Sequence, residues 1–180
     1  ANGGFKGTFD GRGHTINNFV LQGDGTGGFI SYMGWDGVMK NVNFSHIQVN
    51  TAHTWQYSAL CFYAYHATFE NITMQYDNYM AYGPDNQPAN QGARYSSIVA
   101  MRSESTCTFK NILVDAEGLK VGAILPGWYH TGLVMDNYKY ICGSYDAIGW
   151  SGNTGTSSAA TEVTSVPTGV TIVGEKVVKE

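Results

Sequence analysis

One asparagine recurs inside the same apolar pattern and constrains how this chain can fold. The pattern reads apolar–polar–Asn–apolar–any–apolar, and its central residues are Asn18, Asn41, Asn71, Asn111 and Asn137. Successive central asparagines are 23, 30, 40 and 26 residues apart. Intervals of this size are typical of solenoids, in which each repeat forms one coil that stacks on the next. The copies therefore predict a solenoid of about five coils.

Within each copy, apolar and polar residues alternate with a period of two, which is the period of a β-strand and not of an α-helix. A second short strand, led by small residues, precedes each later copy. Glycine and asparagine punctuate these segments, and both disfavour helix interiors. Two strands and a turn in each coil predict an all-β fold, a right-handed parallel β-helix (a single-stranded solenoid) over residues 1–150. The second strands are Gly28-Phe29-Ile30, Ala59-Leu60-Cys61, Ser97-Ile98-Val99 and Ala123-Ile124-Leu125.

The repeated asparagine has a physical role in such a fold. Counterpart residues of neighbouring coils lie about 4.8 Å apart, and an asparagine side chain both donates and accepts hydrogen bonds. The five central asparagines are therefore expected to form an internal ladder. The alternative is that each asparagine occupies a left-handed turn at the surface. The apolar residues that bracket every copy favour the internal ladder.

The variable intervals and the chain ends predict the domain organisation. The longest interval contains an insertion at about 77–94, which is rich in Pro, Gly and Asn and is expected to protrude as a loop. Residues 151–166 are rich in Ser, Thr and Gly and predict a linker. Residues 167–180 predict a strand or hairpin that caps the last coil or begins the next domain. The first coil has no predicted cap, so neighbouring domains of a longer chain or another subunit are expected to cover it.

Charge and composition narrow the partners. The net charge is −4 and the ten Lys and Arg residues are scattered, which argues against nucleic acid as a partner. No apolar run is long enough to span a bilayer, so membrane insertion is not expected. An odd number of cysteines, Cys61, Cys107 and Cys142, cannot form a complete disulfide framework.

Metal and cofactor motifs are also not found in the sequence. It contains no phosphate-binding loop, dinucleotide-binding fingerprint or serine-hydrolase elbow. We therefore expect no metal and no cofactor. Four histidines are candidates for metal ligands, but they lack the tight spacing of a zinc site: His46, His53, His66 and His130.

Catalysis is the main alternative function, because a β-helix can carry polysaccharide lyase or glycoside hydrolase activity. A hydrolase needs two carboxylates that face one groove, and a lyase needs a base together with positive charge. None of the candidates repeats one coil apart, and Asp10 and His14 fit a turn better than an acid–base pair. A non-catalytic module is therefore preferred. The candidates are Asp77, Asp85, Arg94, Arg102, Asp115 and Glu117.

Aromatic residues in the predicted turns are the candidate ligand-binding residues. Turn positions of successive coils stack on one side of a solenoid, and exposed rings on a rigid surface suit sugar rings or a protein partner. The alternative is that these rings pack the insertions onto the solenoid. The candidates are Trp55, Tyr57, Tyr79, Tyr82, Trp128 and Tyr129.

Two segments resemble a known family. The segment GTFDGRGHTINNFVL is similar to the FxGTFDGNGHTIxNL segment of bacterial surface β-helices, and GGFISYMGWDGVMKNVNF resembles the GLUG-type repeat. The resemblance covers residues 5–141. It implies a non-catalytic, adhesive or structural module of a secreted or surface protein, of the type found in adhesins and in the non-catalytic region of IgA-cleaving metallopeptidases. The expected location is extracellular or on the bacterial cell surface, with a glycan or a host or cell-surface protein as partner. A phage tail or filament subunit is a further alternative.

Overall fold

The computed structural model describes residues 3–22, 27–50, 58–80, 97–123, 129–130, 133–147, 160–162, 171–172 and 175–176. Within these residues the chain forms β-strands and no helix. The strands in chain order are β1 (Thr8–Asp10), β2 (Thr15–Asn17), β3 (Val20–Gln22), β4 (Ile30–Met33), β5 (Val38–Asn50), β6 (Cys61–Tyr65), β7 (Thr68–Met80), β8 (Ala100–Glu104), β9 (Thr108–Ala123), β10 (Tyr129–His130), β11 (Val134–Ala147), β12 (Ala160–Glu162), β13 (Thr171–Ile172) and β14 (Glu175–Lys176).

These strands build two parallel sheets. The larger one, here called the long sheet, has the order β1-β5-β7-β9-β11-β12, and β2 and β3 also pair with β5. The smaller one, the short sheet, has the order β4-β6-β8-β10. Because the chain passes alternately through the two sheets and every pairing within them is parallel, the fold is a β-solenoid of about three turns. Strands β13 and β14 form a separate antiparallel pair.

A left-handed asparagine bends each of the four long strands of the long sheet, β5, β7, β9 and β11. Asn41, Asn71, Asn111 and Asn137 have φ values of 55°, 55°, 53° and 52°. Asparagine tolerates this conformation better than most residues, because its short polar side chain can hydrogen-bond locally. The recurring asparagine thus bends the strand at the same position around each successive coil.

The core is made of side-chain columns that run from coil to coil. Val42 pairs with Ile72, Ile72 with Ile112, and Ile112 with Tyr138, and all four side chains are buried. The rings of Phe69 and Phe109 stack in the neighbouring column, with centroids 4.9 Å apart. Burial of each large apolar side chain contributes about 1.5–3 kcal/mol, so these columns hold the coils together.

The structure also corrects the boundaries expected from the sequence. The second strands were predicted to begin at Gly28, Ala59, Ser97 and Ala123. The short-sheet strands instead begin two or three residues later in the first three coils, at Ile30, Cys61 and Ala100. In the last coil the short-sheet strand begins at Tyr129, and Ala123 is the last residue of β9. Tyr138 occupies the place of an aliphatic residue without disturbing the register, because it lies opposite Ile112. Strand β12 falls within the predicted linker 151–166 and pairs in parallel with β11.

Candidate functional site

The repeated asparagines form a column of side-chain hydrogen bonds. Nδ2 of Asn71 donates to Oδ1 of Asn41 at 2.9 Å, and Asn111 donates to Asn71 at 2.9 Å. Asn137 donates to Asn111 at 3.0 Å. In this amide column Asn71, Asn111 and Asn137 therefore donate toward the preceding coil, and Asn41, Asn71 and Asn111 accept from the following one.

A carboxylate closes the first end of the amide column. Nδ2 of Asn41 donates to Oδ1 of Asp10 at 3.0 Å, and the backbone N–H of Arg12 donates to the same oxygen at 2.9 Å. Nζ of Lys40 lies 3.7 Å from the other carboxylate oxygen. The Arg12 N–H, together with Asn41, lowers the pKa of Asp10 from its usual value. Asp10 is thus a structural acceptor, held ionised by its neighbours.

Asn18 is not part of this column, and its assignment from the sequence was wrong. Ile16 pairs with Phe44, and the backbone N–H of Asn18 donates to the carbonyl of Ser45. Asn18 therefore lies beside the second bend of β5, at His46, and not beside Asn41. Its copy of the motif fits the template of the others but forms a different bend, next to His46.

The sequence predicted that the asparagine ladder would be internal, and this prediction is wrong for most of the column. Asn41 is only 7% exposed, but Asn111 and Asn137 are exposed. The amides lie at left-handed corners and bond to one another there. The surface turn and the hydrogen-bonded ladder, which the sequence presented as alternatives, are both features of the same residues.

Most of the predicted ligand-binding aromatics lie outside the described residues. Tyr79 is described, but it lies in β7, is 6% exposed and packs against Tyr76 with ring centroids 5.9 Å apart. Its prediction as an exposed loop residue is therefore wrong, because its side chain belongs to the core. The backbone of Tyr129 pairs with Arg102 in the short sheet. Outside the described residues are Trp55, Tyr57, Tyr82 and Trp128.

A different set of aromatic side chains is exposed on the short sheet and on the turn after β4, where Trp35 lies. Tyr32 is 43% exposed and Trp35 is 49% exposed. Tyr32 pairs with Tyr63 in the next coil, with ring centroids 5.8 Å apart, and Trp35 lies 5.4 Å from the ring of Tyr65. We call these four residues, together with Arg102 and Glu104, the aromatic face.

A histidine holds the ring of Trp35 in place. The rings of Trp35 and His66 are stacked, with centroids 4.5 Å apart and planes 10° apart. Nδ1 of His66 lies 3.0 Å from Oδ1 of Asp36. One face of the indole therefore rests on a ring that is itself anchored, while about half of the Trp35 surface (49%) stays exposed.

Arg102 and Glu104 form the polar part of the aromatic face. Arg102 pairs with Tyr63 in register, and its guanidinium lies 5.0 Å from the centroid of that ring. Nε of Arg102 donates to Oε1 of Glu104 at 2.6 Å, and a second guanidinium nitrogen contacts the same oxygen. The hydroxyl of Tyr63 donates to Oε2 at 2.9 Å. Burial and this bond raise the pKa of Tyr63 to about 12, which keeps its proton in place.

The residues considered for catalysis are dispersed. Asp77 lies 2.9 Å from Nδ1 of His46 on the long sheet, whereas Arg102 lies on the short sheet. Asp115 is buried and accepts from the backbone N–H of Glu117 at 3.3 Å. Asp85 and Arg94 lie outside the described part of the chain. Among the described side chains, no group of three or more His, Cys, Asp and Glu is placed to hold a metal ion.

No protein-family model, curated protein or solved structure matches this chain. In the portion that the structure describes, none of the secondary structure is a helix long and apolar enough to cross a bilayer. The proposal of a function therefore rests on the residues and contacts of the chain itself.

Proposed function

We propose that this chain is a non-catalytic binding module of a secreted or surface bacterial protein, and that it binds glycans through the aromatic face. The observation that carries the proposal is the exposure of two large rings, Tyr32 in strand β4 of the parallel short sheet and Trp35 in the turn that follows it. Aromatic rings combine an apolar surface with low conformational freedom. Such rings suit the apolar faces of sugar rings.

The rigidity of the aromatic face supports binding. His66 stacks on Trp35, and Tyr63 packs edge-on against Tyr32. Rings that are already ordered lose little entropy when a ligand binds, so more of the contact energy appears as affinity. Charged residues form only 13% of the chain and aromatics as much as 13%, which also fits an extracellular binding protein.

The finer architecture is part of the same proposal. We infer a right-handed winding, because parallel strands joined by crossover connections are right-handed in nearly all known cases. The coil count is about five when β1–β3 and β10–β11 are included as partial coils. This is the architecture that the resemblance of the GTFDGRGHTINNFVL and GGFISYMGWDGVMKNVNF segments to bacterial surface β-helices implies.

Binding without turnover is favoured over polysaccharide cleavage by the contacts of the carboxylates near the face. Glu104 is bonded to Arg102 and Tyr63, and Asp36 is bonded to His66. A hydrolase instead needs one carboxyl group that can donate a proton and another placed across the scissile bond. The contacts of Glu104 and Asp36 serve to orient side chains of the face.

An array of bacterial, plant and animal glycans, probed with the whole chain, tests this function. We expect at least one glycan to bind with no release of reducing ends or unsaturated products. Trp35→Ala is expected to weaken that binding about tenfold or more, since a central aromatic anchor carries a large share of binding energy. Val20→Ala is the control, because Val20 is 45% exposed but lies on β3 of the long sheet. Absence of glycan binding, or equal loss in both variants, would contradict the proposal.

A further inference from the structure

The charge at the aromatic face is compensated internally. Arg102 has a guanidinium that is bonded twice to one oxygen of Glu104, and the other oxygen of Glu104 accepts from Tyr63. The Arg102 and Glu104 side chains are 33% and 19% exposed, so the pair borders solvent beside the rings. A ligand on the face therefore meets an ion pair and not an isolated positive charge.

This arrangement has a consequence for the kind of glycan that fits. Binding of an anionic sugar such as a uronate is commonly supported by an arginine that forms a two-point contact with the carboxylate. Here the carboxylate of Glu104 already occupies that position on Arg102. A uronate would have to displace Glu104 from that edge of the guanidinium or bind beside its carboxylate, where the two like charges repel. The hydroxyl groups of an uncharged sugar require no such exchange.

We propose that the aromatic face selects uncharged glycans, and that Glu104 sets this selectivity by neutralising Arg102. The inference rests on the proposed glycan-binding function and adds the chemical class of the ligand. The rings of Tyr32 and Trp35 provide the apolar contact. The partly exposed polar atoms of Arg102 and Glu104 bond to hydroxyl groups, because both residues keep solvent-facing surface in the ion pair.

Affinity electrophoresis tests the inference with soluble polysaccharides as probes. Mannan, dextran and xyloglucan serve as uncharged probes, and polygalacturonate and alginate serve as anionic probes. We expect the whole chain to be retarded by at least one uncharged polysaccharide and to migrate freely through both anionic ones. Retardation by an uncharged probe should persist at high salt, because it does not depend on ion pairing.

The Glu104→Gln variant should gain binding to anionic polysaccharides. It keeps the shape of the side chain but removes the carboxylate charge beside Arg102. We expect polygalacturonate, which does not retard wild type, to retard this variant, with an apparent affinity about two- to fivefold above the limit set by wild type, as befits one partly exposed ion pair. Glu70→Gln is the matched control: it changes the net charge equally, but Glu70 is paired with Lys110 on the long sheet at 3.6 Å. In the double variant Arg102→Gln/Glu104→Gln, the gain in polygalacturonate binding should disappear. Circular dichroism of each variant checks that the fold is retained.

The possible outcomes separate the two proposals. If the chain binds only anionic polysaccharides and Trp35→Ala abolishes this binding, the aromatic face is a glycan site but the selectivity is wrong. If Glu104→Gln gains no more than Glu70→Gln, the role of Glu104 is overturned. If no polysaccharide and no array glycan is bound, or if a protein binds the face instead, the proposed function and this inference both fail.

Discussion

Nδ2 of Asn41 donates to Oδ1 of Asp10 at 3.0 Å, and this bond sets the direction of the whole amide column. A carboxylate accepts hydrogen bonds and donates none when it is ionised. Asn41 must therefore point its N–H toward Asp10 and its carbonyl oxygen toward Asn71. Asn71, Asn111 and Asn137 repeat the same orientation.

Acid should remove the contribution of Asp10 to stability. The pKa of Asp10 in the folded chain is lowered from its usual 3.8, chiefly by the Arg12 N–H and then by Asn41. A lowered pKa stabilises the folded state above 3.8, and that stabilisation is lost as the pH falls through the folded value. Asp10→Asn lacks this titration. Urea titrations give the free energy of unfolding of wild type and of Asp10→Asn. The difference between the two should be constant between about pH 5 and 7. Below about pH 4, wild type should lose stability relative to the variant. Parallel pH profiles would contradict the role of Asp10.

Removal of one amide from the middle of the column should destabilise the fold. Asn71→Ala deletes one donated and one accepted hydrogen bond, and each such bond contributes about 0.5–1.5 kcal/mol. Asn18→Ala is the matched control, because Asn18 has a φ of 57° against 55° for Asn71 and lies outside the column. We expect Asn71→Ala to lose about 1–2 kcal/mol more than Asn18→Ala in urea unfolding. Equal losses would mean that left-handed backbone conformation alone explains the asparagine.

The His66 ring should be needed for the orientation of Trp35. His66→Ala removes the stacked ring and its bond to Asp36, so the near-ultraviolet circular dichroism of Trp35, measured as the difference from Trp35→Phe, should decrease. Binding of the best array glycan should weaken about threefold or more, because the free indole then has to be ordered on binding. His46→Ala is a close control: His46 is also left-handed and lies 2.9 Å from an aspartate oxygen. If His46→Ala and His66→Ala behave alike, the stacking has no positioning role.

The buried thiols should resist alkylation in the folded chain. Burial raises the pKa of Cys61 to about 12, and burial also raises the pKa of Cys107. At about pH 9 the thiolate fraction of Cys61 would be about one thousandth, and the thiolate is the reactive form. Iodoacetamide followed by peptide mass spectrometry should therefore label the less buried Cys142 first. Rapid labelling of Cys61 without unfolding would show that the core around it opens.

The sequence predicts the solenoid well because its asparagine pattern reflects one repeated corner. Asn41, Asn71, Asn111 and Asn137 each follow an apolar–polar pair and precede an inward apolar residue, and these features survive large changes in coil length. Asn18 matches the same pattern at a different corner, since the pattern describes a left-handed bend between two strands and not its position around the coil. Asp10 does not fit the asparagine template, although its acceptor oxygen completes the column.

The aromatic face was harder to predict, because coil lengths vary and the sequence does not state which residues lie side by side. Tyr32 and Tyr63 become neighbours only through the register of β4 and β6. A usable signal was present in the similar strands Ile30-Ser31-Tyr32-Met33 and Cys61-Phe62-Tyr63-Ala64, whose third residue is tyrosine in both. For Tyr79 the error is the opposite one: the sequence predicted an exposed ring, and the ring is buried. Its place near a Pro- and Asn-rich segment gave no indication of that burial.

The uniform direction of the amide column makes its coils exchangeable units for protein engineering. An asparagine that donates to one side and accepts from the other can receive a further asparagine on either side without reversing any bond. A duplicated coil inserted between Asn41 and Asn137 should therefore extend the rod by about 4.8 Å and keep every amide satisfied. Scaffolds of graded length, each with one more rung for the display of aromatic side chains, could be built from this single chain.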